Sequence, residues 1–128
     1  MTSQHLFFAI SIILGGAVDL VHAQDLPVRI GVIQSLTGMA AEDGNSILNG
    51  VRLAVKEAGK DVLIEVEDDA SEAKNTVSGY KKLQNSGVDF IIAGTWSLFA
   101  RPIYPLAARD KQIVVTSSNF PEMFGKGP

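Results

Sequence analysis

Four short runs rich in β-branched residues, 28–33, 62–67, 88–93 and 113–116, are separated by stretches of helical periodicity, and this alternation constrains the chain more than any other feature. Strands that alternate with helices of about ten to fifteen residues connect through right-handed crossovers, which gives an α/β, doubly wound parallel sheet with helices on both faces. From Asn45 to Ala58, the apolar residues Ile47, Val51, Ala54, Val55 and Ala58 recur at helical spacing and Gly59 supplies a stop. Asp69 and Glu72 have the spacing of a capping pair for a second helix, with a buried stripe at Ala73, Val77, Tyr80 and Leu83 and a stop at Gly87. The third helical stretch, 98–110, contains Pro102 and Pro105. A proline removes a backbone donor from a helix interior, so this helix is predicted to begin near Pro105 or to kink there.

The 128 residues, 46% hydrophobic and 20% charged, suit one soluble domain with a modest core. Residues 6–18 form an apolar run too short to span a bilayer, broken by Asp19 and followed by Val21-His22-Ala23. The expectation is a secretory signal over residues 1–23, cut after Ala23, although the first five residues lack the usual Lys or Arg. A short membrane-anchoring helix is the other reading, which Asp19 disfavours. The predicted product is periplasmic, and with no cysteine it has neither a lipid anchor nor disulfides. Both histidines, His5 and His22, fall in the segment expected to be removed. An imidazole base, a thiolate nucleophile and an ordinary zinc site are then all lacking, which argues against an enzyme. The net charge of −3, with no strong cluster of either sign, argues against a nucleic-acid partner.

Ligands of a doubly wound sheet bind at the carboxyl ends of the strands, which here means the loops starting at Gln34, Asp68, Gly94 and Ser117. The first, Ser35 to Gly44, lacks the glycine patterns of a dinucleotide or phosphate loop, so no cofactor is expected. The acidic run Glu65-Val66-Glu67-Asp68-Asp69 has a metal-binding reading, but its carboxylates divide between a strand face and a helix start; capping and dipole complementarity is the better account. The third loop, Gly94-Thr95-Trp96-Ser97, sets hydroxyls and the single tryptophan ahead of a helix. The fourth, Thr116-Ser117-Ser118-Asn119, offers three hydroxyls and an amide, suited to a zwitterion or a sugar. Each of these residues alone also suits a turn or a cap. Together, at neighbouring strand ends, they favour a site.

Three stretches, IGVIQSLTGMAAEDGNSILNGVRLAV, EVEDDASEAKNTVSGYKKLQNSGVDFIIAG and VVTSSNFPEM, resemble the branched-chain amino acid (Leu/Ile/Val) type of periplasmic solute-binding proteins of ABC importers. The likeness extends over residues 28–128. Its most specific parts are the L-T-G loop with Gly44 and Asn49-Gly50, the E-D-D-A-S segment, and the S-x-x-x-P-E stretch from Ser117. The resemblance implies a type I periplasmic-binding-protein fold whose two lobes close on a small-molecule ligand and present it to membrane permease subunits, with this chain, residues 24–128, as the N-terminal lobe of a monomer. It implies that Ser97 holds the ligand's carboxylate and that Ser118 and Asn119 add contacts after the fourth strand; Trp96, adjacent to Ser97, suits either the pocket wall or packing under the loop. It also implies that Asp43 occupies the position leaning on the ligand's side chain. A carboxylate there departs from the aromatic or neutral group usual in the family. It disfavours a leucine-like ligand and favours a polar or cationic amino acid, an amide or a urea-like molecule. The family continues into a second lobe where this sequence ends at Pro128, so the chain is expected to be a fragment or a truncated product that binds weakly by itself. An exported sensor of the same fold fits the same residues. A small flavodoxin-like or Rossmann-like enzyme fits them poorly.

Overall fold

The computed structural model describes residues 26–59 and 61–117. The expected signal segment, 1–23, and the proposed ligand contacts Ser118 and Asn119 lie outside the described residues. Strand β1 (Val28–Gln34) runs through the middle of the sheet, and Ile30 to Gln34 are all buried. This explains why its sequence is apolar at successive rather than alternate positions: both of its faces are covered. Helix α1 (Ala41–Ala58) leads to β2 (Val62–Asp68), α2 (Ala73–Ser86) to β3 (Phe90–Ala93), and α3 (Ser97–Ala100), a 3₁₀ turn at Arg101–Ile103 and α4 (Tyr104–Asp110) lead to β4 (Ile113–Val115). The strands pair in the order β2-β1-β3-β4, all parallel, with Gln34 level with Asp68 and Ile30 level with Phe90. The predicted doubly wound parallel sheet is the fold observed.

Two apolar clusters hold the layers together. On one face Ile30 and Val32 of β1 pack with Leu48, Val51 and Val55 of α1. On the other, Ile33, Ile91 and Ala93 meet Tyr80 and Leu83 of α2, Ile103 of the 3₁₀ turn and Ala107 of α4. Each large side chain fully buried this way contributes roughly 1.5–3 kcal/mol. The sheet was expected to be covered on both faces, and on the α1 face that cover is incomplete: Ile113 and Val115 of β4 remain 65% and 50% exposed.

Several boundaries differ from expectation for local reasons. Helix α1 begins at Ala41, four residues before the predicted start, with Glu42 and Asp43 in its first turn, where carboxylates complement the helix dipole. Leu48 carries the buried contact, whereas Ala54 and Ala58 face solvent. In α2 the tight positions are Thr76, Gly79, Tyr80 and Leu83, with Val77 only half-buried. Asp69 and Glu72 form no capping box: Glu72 is the N-cap and makes no side-chain capping bond. Strand β3 starts at Phe90, two residues later than expected, and Val88 joins the core from the preceding loop. Gly59 and Gly87 close their helices in the left-handed conformation, as predicted. The prolines divide the third helical stretch, Pro102 within the 3₁₀ turn and Pro105 in the first turn of α4, where a missing donor leaves no bond unmade.

Candidate functional site

The carboxyl ends of β1 and β2 are fastened together by side chains. Because β1 and β2 pair in parallel with Gln34 level with Asp68, the loops that leave them run side by side. Asp68 accepts hydrogen bonds from Leu36 N (2.8 Å), Thr37 N (3.2 Å), Thr37 Oγ1 (2.7 Å) and Ala70 N (2.8 Å). Partial burial opposes its ionisation, yet the donors from Ala70, Thr37 and Leu36 prevail and hold its carboxyl below the usual range. Asp69, fully buried, accepts from Ser35 Oγ (2.6 Å), Ser71 N (2.9 Å) and Thr76 Oγ1 (3.1 Å). Ser71 in turn donates to Thr37 O (3.1 Å) and accepts from Ala40 N (3.0 Å). Ala70 and Ser71 are both left-handed, with φ of 50° and 58°. That conformation costs roughly 1–2 kcal/mol for a residue with a Cβ, and the two aspartates offset it by binding these residues' N–H groups.

The sequence reading of Asp68 and Asp69 as helix caps is therefore corrected. Their carboxylates serve the loops after β1 and β2. Among the described residues, no group of three or more His, Cys, Asp or Glu comes together in a metal-binding arrangement. The parallel register was the signal in the sequence that points to this clasp, since it sets Asp68 and Asp69 beside Gln34 and Ser35.

The loop after β3 joins the same network from the other side. Thr95 Oγ1 accepts from Ser35 N (2.8 Å) and donates to Gln34 Oε1 (2.7 Å), so this hydroxyl is spent inside the protein. Gln34 is fully buried and its Nε2 has no partner. Ser117 donates to Gly94 O (3.2 Å), tying the end of β4 to the end of β3, and Thr116 Oγ1 lies 3.4 Å from Tyr104 Oη.

Three of the predicted contacts come together on the solvent side of this framework. Asp43, in the first turn of α1, is exposed, and its Oδ2 accepts a 2.8 Å bond from Trp96 Nε1. The Trp96 ring stacks on Phe99, with centroids 5.8 Å apart and planes 13° from parallel. Ser97, the first residue of α3, is half-buried next to Trp96, and its hydroxyl has no partner among the described residues. The pairing of Asp43 with Trp96 was missed in the sequence, where 53 positions separate them and α1 was expected to start after Asp43.

In a parallel α/β sheet, ligands are held at the carboxyl ends of the strands, and there this chain sets an indole, a carboxylate and an unspent hydroxyl beside loops that are locked internally. Residues 27–127 match the family model described as periplasmic binding protein. The chain belongs to the periplasmic binding protein family.

Similar proteins agree. The chain is 32% identical over 116 residues to the Leu/Ile/Val-binding protein BraC3 of Rhizobium johnstonii, an alignment covering 84% of this chain and 31% of that protein. It is 27% identical over 127 residues to a leucine-specific-binding protein of Salmonella typhimurium, covering 90% of this chain and 34% of that one. Among solved structures, a leucine-binding protein, LivK, of Thermotoga maritima superposes with a TM-score of 0.70 at 26% identity, covering 77% of this chain and 30% of that one. The chain spans about a third of the length of the curated relatives it matches.

Proposed function

We propose that this chain is the solute-binding component of an ABC importer, or its ligand-binding N-terminal lobe, exported to the periplasm by residues 1–23. It captures an amino acid or a related small polar molecule, such as an amide or a urea-like compound, and delivers it to membrane permease subunits. One observation carries the reading. At the strand ends the hydroxyls of Ser35, Thr37, Ser71 and Thr95 are all engaged by protein groups, whereas that of Ser97 is not. A framework that satisfies its own polar atoms and holds back one hydroxyl at the surface suits a ligand that brings the missing partner.

In this account Ser97 Oγ donates to the ligand's carboxylate, and Ser118 and Asn119, which follow β4 in the sequence, add contacts. Trp96 lines the pocket wall, and Asp43 faces the part of the ligand remote from Ser97. Closing a second lobe over this face excludes water and strengthens these polar contacts. The Leu/Ile/Val-binding and leucine-specific-binding relatives support an amino-acid-like ligand. No step of this function makes or breaks a covalent bond.

The test is uptake. Deleting the gene and following radiolabelled amino acids and small amides into cells is expected to abolish transport of one of them, and a plasmid copy is expected to restore it. Undiminished uptake of every compound contradicts the proposal.

A further inference from the structure

We infer that the ligand carries a net positive charge, recognised by Asp43 and Trp96 acting as one unit; this rests on the solute-binding reading above and names the ligand's class. The Trp96 indole N–H is a neutral donor: its bond to Asp43 Oδ2 holds the carboxylate in place and, like the start of α1 beneath it, brings no formal positive charge to it. Among the described residues no lysine or arginine forms an ion pair with Asp43. Phe99, almost fully buried, backs the Trp96 ring, which remains 39% exposed. A cation that settles here meets an oriented carboxylate and an aromatic surface together, the two elements that bind ammonium and guanidinium groups best.

Lobe closure makes this a requirement on the ligand. A carboxylate removed from water without a counter-charge is strongly unfavourable. A ligand whose ammonium and carboxylate balance each other brings no charge to offset Asp43, which has no ion-pair partner among the described residues. One with an additional ammonium or guanidinium group neutralises it. The observed pair thus selects for basic amino acids and similar cations, and against aliphatic or acidic ones.

The experiment uses the full-length mature protein and isothermal titration with two matched pairs, L-lysine against L-norleucine and L-arginine against L-citrulline. In the wild type, the cationic member of at least one pair is expected to bind at least about tenfold more tightly, the ratio given by a difference of about 1.4 kcal/mol. D43N is expected to bring that ratio to within about threefold. If the neutral members bind as tightly in the wild type, or if D43N binds and keeps the wild-type ratio, the inference is overturned while the solute-binding reading stands. The wild-type ratios decide the matter should D43N fold poorly. If no amino acid or amide binds at all, the solute-binding reading falls as well, which separates the two failures.

Discussion

The hydroxyl of Ser35 donates a 2.6 Å hydrogen bond to Asp69 Oδ1, and both residues are completely buried although they belong to loops leaving different strands. Two further donors, Ser71 N and Thr76 Oγ1, converge on the same carboxylate. Asp69 thereby fixes the loop after β1, the loop after β2 and the first turn of α2 relative to one another. Its replacement by alanine strands three donors in the interior. Asp69→Ala is expected to lower stability by about 3 kcal/mol, and Asp69→Asn, which keeps one acceptor oxygen, by less. Urea unfolding checks this; a loss below about 0.5 kcal/mol for the alanine variant contradicts it.

Two glycines of α1 make opposite predictions. A Cβ on Gly44 would lie 2.0 Å from Ser35 O and 2.6 Å from Ser35 C, which are backbone atoms of the clasped loop and have nowhere to move. Gly44→Ala is expected to destabilise by at least about 2–3 kcal/mol. Gly50 has nothing within 4 Å of where its Cβ would be, and in mid-helix glycine costs chain entropy. Gly50→Ala is expected to stabilise by about 0.5–1 kcal/mol. Thermal melts of the two variants should move in opposite directions.

Tyr80 gives the fold an alkaline limit. Burial first, and then its hydrogen bond to Asp110 Oδ2, push the phenol from 10.0 up to about 12. A folded-state pKa above the unfolded value means that this contribution is complete below pH 10.0 and is lost as the pH rises through about 12. Asp110 behaves in the opposite sense. Its bond from Arg109, and then that from Tyr80, hold its carboxyl below 3.8, so its share is present at neutral pH and lost on acidification. The stability difference between the wild type and Tyr80→Phe, measured by denaturant unfolding, is expected to shrink between pH 9 and pH 12. A constant difference across that window contradicts the assignment.

Much of the frame was legible because it depends on local patterns. The β-branched runs marked every strand, Gly59 and Gly87 marked helix ends, and Pro102 and Pro105 marked the break between α3 and α4. The site was only half legible, for a definite reason. Asp43, Trp96 and Ser97 were each identifiable by residue type and by place in a strand-end loop, but the indole–carboxylate bond depends on how far α1 extends and on which loops the register makes neighbours. The same holds for Asp68 and Asp69. Their partners, Leu36, Thr37 and Ser35, lie more than thirty residues earlier, and adjacent-residue logic assigned them to a helix cap that does not form.

On the function proposed above, the strand-end loops bind a small solute through Ser97. Titration calorimetry of the full-length mature protein with the standard amino acids and small amides tests it most directly, first for the wild type and then for Ser97→Ala. Saturable binding of one compound, or a few related ones, is expected at one site per molecule, weakened at least about tenfold by Ser97→Ala, a loss of about 1.4 kcal/mol. Binding of the best ligand unchanged in Ser97→Ala, or no binding by any compound of the panel, would contradict it.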